Sequence, residues 1–333
     1  MDPALPPGTL GHVTPKIAVA VTTYNQSRYV ADTVSSVLGQ SLQPSEIVVV
    51  DDGSTDSTPT VLAPFRDRIR VIRQQNGGVA AARNAAVLAC SSEFVALLDG
   101  DDLWHPDKLR RCARLLTDYP DSSVLAHDIE RISAEGQVLN RGEIAARLTD
   151  WRLGETAVVD CLERLIQGNL IWTTSQVVVR RTAYIDAGLS DSSFAIASDY
   201  DLYLRLAARG PFLLDSHVLS QWRQHDDSAS GKGLQREFNW AVDMSHVLEK
   251  ARTRSELTDY QPAIDRRQNT IVQTLYSSES RLGRWPTARA LARIAWNRRN
   301  AFPAFAAAAV LLTPQRLRRR AASMTGVSVS ARP

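Results

Sequence analysis

The sequence predicts an α/β fold: a mostly parallel central sheet, followed by a C-terminal helical region. Three observations carry this. Apolar strand patterns and helical patterns alternate over residues 16–132, the order that gives parallel strands joined by helical crossovers. Three strand patterns end in polar clusters, Thr22-Thr23-Tyr24-Asn25, Asp51-Asp52-Gly53-Ser54 and Asp99-Gly100-Asp101-Asp102. Open sheets of this class bind ligands outside the carboxyl ends of their strands, so the three clusters are expected along one edge. From residue 234 onward only helical periodicity remains.

The elements follow in order. Residues 16–21 read as an apolar strand, and 27–39 as a helix with Val30, Val34, Val37 and Leu38 on one face. A β-branched strand covers 46–50, and a helix starts at Ser57 or Thr58 with Pro59 in its first turn, where a missing N–H costs nothing. Strand 69–72, an Ala-rich helix at 79–90 and strand 93–98 complete the alternation, and a further helix begins near Pro106. Residues 133–170 show no single period. A strand is predicted at 175–179, a short helix at 181–187, an amphipathic helix at 200–209 and a strand at 212–222. Helices are predicted at 234–252, 260–280 and 284–312. The implied organisation is a disordered leader at 1–15, an α/β domain at 16–230 and a helical region at 231–333, with the change in the polar stretch 226–233.

Composition narrows the class. The chain has 333 residues, is 44% hydrophobic and 23% charged, and carries a net charge of +3, an ordinary soluble composition that gives no argument for nucleic acid. Cys90, Cys112 and Cys161 have no CxxC spacing and read as reduced, buried thiols of a cytosolic protein. No secretory signal opens the chain, and no apolar run reaches the length of about 18 residues that a spanning helix needs. The apolar stretch 301–312, followed by Arg316, Arg318, Arg319 and Arg320, suits either a peripheral contact with an anionic inner membrane face or a core helix with a solvated basic end.

The candidate chemistry centres on Asp99, Asp101 and Asp102. Three acids at the end of a buried strand repel one another and lose hydration unless a cation compensates them. Their oxygen ligands suit Mg2+ or Mn2+. The alternative is a polar turn that caps the next helix. No GxGxxG follows the first strand and no GxxxxGK[ST] occurs, so a phosphate here needs a metal, with Arg83 as a guanidinium partner. Asp199 either caps the helix at 200–209 or serves as a base, and His225 is either a ligand or a bystander.

Val21-Thr22-Thr23-Tyr24-Asn25, Val50-Asp51-Asp52-Gly53-Ser54, Asn76-Gly77-Gly78 leading to Ala82-Arg83-Asn84, and Leu98-Asp99-Gly100-Asp101-Asp102 resemble the motifs of family 2 glycosyltransferases, in order and spacing, as do Ala197-Ser198-Asp199-Tyr200-Asp201-Leu202 and Trp222-Arg223-Gln224-His225. The resemblance spans about residues 16–225 and implies the GT-A nucleotide-diphospho-sugar fold. It implies that Thr22 and Tyr24 contact the nucleotide base, that Asp52 bonds the base edge, and that Arg83 lies near base or pyrophosphate. Asp99, Asp101 and Asp102 become the DxD metal site for Mn2+ or Mg2+, joined by His225, with Asp101 and Asp102 nearest the ribose and the metal. Arg223 becomes a diphosphate contact, and Asp199 the general base of an inverting transfer. Ser198 stands where Glu is commoner in that family, and Val-Thr-Thr-Tyr where many members have Pro-Thr-Tyr.

The expected activity is metal-dependent transfer of a sugar from a nucleotide-diphospho-sugar to an acceptor hydroxyl, in polysaccharide, O-antigen or other glycoconjugate synthesis. A peptide or natural-product acceptor, or a nucleotide-sugar-binding scaffold without turnover, are the alternatives. A glycan or lipid-linked acceptor is the expected partner.

Overall fold

A computed structural model describes residues 14–142, 156–225 and 234–282. The leader up to residue 13, the helix predicted at 284–312 and the apolar–basic stretch at 301–320 lie outside the described residues.

The chain begins with β1 (Ile17–Thr23), α1 (Val30–Leu38), β2 (Glu46–Asp51), α2 (Thr58–Leu62), β3 (Arg70–Arg73), α3 (Val79–Ala89) and β4 (Phe94–Asp99). It continues with β5 (Leu103–Trp104), α4 (Lys108–Asp118), β6 (Val124–Ile132), β7 (Val138–Arg141), β8 (Thr156–Val159), α5 (Leu162–Gln167) and β9 (Val177–Arg180). Then follow α6 (Arg181–Asp186), α7 (Ser198–Ala207), β10 (Phe212–Arg223), α8 (Leu234–Arg252) and α9 (Gln261–Leu282).

The strands form one sheet in the order β3-β2-β1-β4-β9-β6-β10-β5, with β7 added to β6 and β8 to β10. The first four strands are parallel. β1, β2 and β4 are apolar without alternation because helices cover both faces, whereas β3 at the sheet edge carries an exposed Arg at each end. The α1 stripe of Val30, Thr33, Val34 and Val37 is buried against the sheet. Small residues Ala80, Ala82 and Ala86 on the buried side of α3 let that helix lie close to its strands.

A mostly parallel sheet therefore describes the first four strands, and the second half corrects it. There β9 is antiparallel to both β4 and β6, β10 is parallel to β6, and β5, β7 and β8 pair antiparallel. β5, β7 and β8 were not legible in the sequence. They are two to four residues long and exist through pairing with distant strands, which leaves too few residues for a period to show.

The helix after the acidic turn starts at Lys108 with Asp107 at its N-cap position, so the acids at 99–102 do not cap it. Lys108 itself is fully buried. Cys90, Cys112 and Cys161 are free and buried, and burial pushes each thiol up to about 12, far from thiolate chemistry.

The described residues fall into two compact units, one comprising 14–142, 156–165 and 169–225, the other 166–168 and 234–282. In the second unit α8 and α9 pack as an antiparallel pair around Ala241, Met244, Val247, Leu248, Ile264 and Ile271. Gln268 Nε2 donates to Ser245 Oγ at 2.6 Å inside that core, and Arg252 pairs with Asp265 at 3.1 Å. Among the described residues no helix is long and apolar enough to cross a membrane.

Candidate active site

The three polar strand ends meet at one edge, as parallel register requires: Thr22 sits between Val50 of β2 and Asp99 of β4. Asn25 joins two of them. It takes a left-handed φ of 52°, which Asn tolerates better than most residues, and its side-chain oxygen accepts the Thr55 N–H at 2.8 Å. Gly100 closes the third against the first, with its N–H on Thr22 O at 2.8 Å. A Cβ there would lie 2.4 Å from Gln26 Oε1, 2.9 Å from Thr23 Cβ and 3.0 Å from Thr22 O, so only glycine fits.

The acidic turn divides its labour unequally. Asp99 Oδ1 accepts from Thr22 Oγ1 at 3.3 Å and from Arg83 Nη2 at 3.4 Å, and its Oδ2 accepts from Thr174 Oγ1 at 3.0 Å. Asp101 Oδ2 lies 2.9 Å from His225 Nε2. Asp102 is 1% exposed; its Oδ1 accepts the Arg223 N–H at 2.9 Å, and its Oδ2 accepts Ser175 Oγ at 2.6 Å and Thr173 Oγ1 at 2.9 Å. Burial, with Asp101 and Asp99 nearby, pushes the Asp102 carboxyl well above the usual carboxylate range. The Ser175 hydroxyl also accepts the Asp99 N–H at 3.1 Å. Its carbonyl is gripped in turn by Lys108 Nζ at 2.6 Å, Ser220 Oγ at 2.9 Å and Trp104 Nε1 at 3.3 Å.

Three sequence expectations change on this geometry. Both Asp102 oxygens hold the fold together, and Asp101 with His225 is the pair whose oxygen and nitrogen converge. Arg223 is 4% exposed, and it uses Nε on Asp101 O at 2.9 Å and Nη1 on Ala134 O at 2.9 Å, so it ties the turn rather than reaching for a diphosphate. Asp52 accepts from Gln74 Nε2 at 2.7 Å, Gly77 N at 3.0 Å and Gly78 N at 2.9 Å, so its carboxylate shapes the 74–78 loop. Thr22 is buried and bonded to Asp99, whereas Tyr24 is 46% exposed at the mouth of the edge.

Asp199 is the second residue of α7, and the N-cap position belongs to Ala197, with no side-chain cap bond. The capping reading therefore fails. Its Oδ1 accepts the Tyr200 N–H at 2.7 Å. Burial raises the carboxyl above its ordinary 3.8, opposed by the Arg83 charge and reinforced by Asp99. Its neighbour Asp201 pairs with Arg205 at 2.7 Å and is structural. Arg83 is thus the cation that Asp99 and Asp199 share, and its Nη1 is buried with no hydrogen-bond partner among the described residues.

Sequence reasoning missed the Thr173-Thr174-Ser175 platform and Lys108. The only signal was a run of three hydroxyl residues before a predicted strand, which is as common in plain loops.

The residues fit a hard divalent cation with few protein ligands. A carboxylate oxygen and an imidazole nitrogen converge, which matches Mn2+ or Mg2+ held partly by substrate phosphates. Among the described residues no group of three or more His, Cys, Asp or Glu forms a cage by itself.

Comparison with known proteins agrees with this layout. Residues 18–157 match the family described as Glycosyl transferase family 2. Chondroitin synthase of Escherichia coli is 28% identical over 233 residues, covering 68% of this chain. The match spans only 32% of that protein, about a third of its length. The structure of S. aureus TarS 1–349 in complex with UDP-GlcNAc superposes with a TM-score of 0.65 at 18% identity, covering 92% of this chain and 88% of that one. The mannosyltransferase PcManGT of Pyrobaculum calidifontis, in complex with GDP-Man and Mn2+, gives a TM-score of 0.57 at 17% identity over 95% of this chain and 89% of that one. Residues 18–157 carry a glycosyl transferase family 2 domain, a glycosyltransferase domain of the GT-A fold.

Proposed function

We propose that this glycosyltransferase moves a sugar from a nucleotide-diphospho-sugar to an acceptor hydroxyl with inversion, in the assembly of a polysaccharide or related glycoconjugate. The observation that carries the reading is Arg83, a buried cation shared by the acidic turn and the Asp199 carboxyl. It puts a phosphate-gripping group beside a base. The names of the relatives point the same way: a chondroitin synthase among them, and solved neighbours holding UDP-GlcNAc or GDP-Man with Mn2+.

In this reading Asp101 and His225 hold Mn2+ or Mg2+, which when bound supplies positive charge against the leaving diphosphate. Arg83 Nη1, with no other partner, meets a phosphate oxygen. Asp199 takes the acceptor proton as the acceptor oxygen attacks the anomeric carbon from the face opposite the diphosphate. A carboxyl raised above its ordinary range is the better base near neutral pH, provided it is ionised. The turn held by Asp102, Arg223, Thr173 and Ser175 keeps these groups in place.

The test is Asp199→Asn, with donor binding followed by calorimetry and transfer by release of nucleoside diphosphate. Binding should survive while transfer is lost. Full activity in the variant removes Asp199 from the mechanism.

A further inference from the structure

Buried polar atoms are nearly always bonded, so each exception calls for an explanation. Tyr203 is one. It is fully buried, and its hydroxyl has no hydrogen-bond partner among the described residues. The nearby Tyr184, equally buried, has its hydroxyl bonded to Asn84 Oδ1 at 2.9 Å and Ser190 Oγ at 2.8 Å. Tyr203 follows Asp199 by four residues in α7, so both side chains leave the same face of the helix, one turn apart. The charges that act on its phenol are Asp199, Arg83 and Asp99, the groups of the reaction centre.

A phenylalanine would fill the same volume without burying an unbonded hydroxyl, so packing alone does not account for a tyrosine here. Under the charges of Asp99 and Asp199, an anionic oxygen is poorly placed unless Arg83 faces it. A neutral sugar hydroxyl suits the phenol better. Burial and the two carboxylates push the phenol well above its ordinary 10, so it stays protonated and acts as a donor.

We propose that Tyr203 is a specificity-determining residue whose hydroxyl donates a hydrogen bond to a hydroxyl of the sugar being transferred, while Arg83 Nη1 beside it meets the diphosphate. This rests on the nucleotide-sugar reading given above. It assigns the choice of sugar in part to α7, the helix that also carries Asp199.

Tyr203→Phe in the full chain tests it. UDP, GDP, dTDP and their common sugar forms are screened for binding to the wild type, and the best pair of diphosphate and sugar-diphosphate is then measured on both proteins. The variant should bind the bare diphosphate as the wild type does, and the sugar form about tenfold more weakly. Its melting temperature should stay level or rise by about 1–3 °C, because an unbonded hydroxyl has been removed. A deoxy-sugar donor lacking the contacted hydroxyl should abolish the difference between the two proteins. Equal weakening for both ligands, no weakening, or a fall of several degrees in melting temperature overturns the proposal. If the wild type binds the bare diphosphates but none of the sugar forms, the donor reading itself falls, and Tyr203 with it.

Discussion

The two halves of the sheet do different work. Strands β3, β2, β1 and β4 are parallel, close in sequence and joined by helical crossovers, and they bring Thr22, Asp52, Arg83, Asp99 and Asp101 to one edge. Strands β9, β6 and β10 pair across long sequence separations, and their ends supply Ser175, Arg223 and His225, with Asp199 on the intervening α7. In the proposed reading the first half presents groups to the donor. The second half then completes the cation site and brings the base, and it locks the acidic turn. A binding site can thus be built from local units, while the reaction needs contacts that form only once the distant half has docked.

This contrast is sharpest at Asp199. Asp199→Asn should lower transfer by about a thousandfold, the middle of the range for loss of a general base, and leave donor affinity within about twofold. A comparable loss of binding would mean that the second half also holds the donor.

Asp101→Asn comes next. It removes one of the two proposed cation ligands and should weaken divalent-cation binding by about tenfold or more, with the melting temperature unchanged. Donor binding in the variant should become insensitive to EDTA, which calorimetry can read.

Asp102→Ala acts where the halves are stapled. It strands the Arg223 N–H and the Thr173 and Ser175 hydroxyls, and should cost about 1–3 kcal/mol of stability. Gly100→Ala should cost a similar amount, about 1–3 kcal/mol, by forcing the first strand end away. Denaturant midpoints measure both. If Asp102→Ala loses cation binding but no stability, Asp102 is a ligand after all.

The smallest effects are in pH. Because the Asp199 carboxyl is raised above 3.8 and, in the proposed reading, must be ionised to act, the rate should fall on acidification through a value above 3.8. The raised Asp102 carboxyl has the opposite meaning for stability: the native state holds its proton more tightly than the unfolded chain. In metal-free protein its contribution is full below the ordinary 3.8 and is lost as pH rises through the raised value. Asp102→Asn, which mimics the protonated form, should flatten that part of the stability profile.

The same division explains what could be read in the sequence. The β-α alternation, the three strand-end clusters and the Asp199 and His225 motifs were legible because each is a local pattern. Asp102 and Arg223 were legible as members of motifs, but not as clamps: the pattern Asp-Gly-Asp-Asp does not say which acid turns inward toward Ser175. The loop-shaping bonds of Asp52 were hidden for a similar reason, since its partners Gly77 and Gly78 donate through backbone N–H groups that no side chain advertises. Lys108 looked like an ordinary first-turn residue of α4, and only its 0% exposure reveals it.

That lysine gives the protein an internal reporter. The chain has four lysines, at positions 16, 108, 232 and 250, and Lys108 lies over the Trp104 ring, 3.7 Å from its centroid. Burial draws its ammonium down to about 7 and keeps it from solvent, so a reagent reaches this amine only when the structure around it opens. The rate at which an acylating reagent marks Lys108, followed by mass spectrometry, therefore counts how often the floor beneath the acidic turn opens.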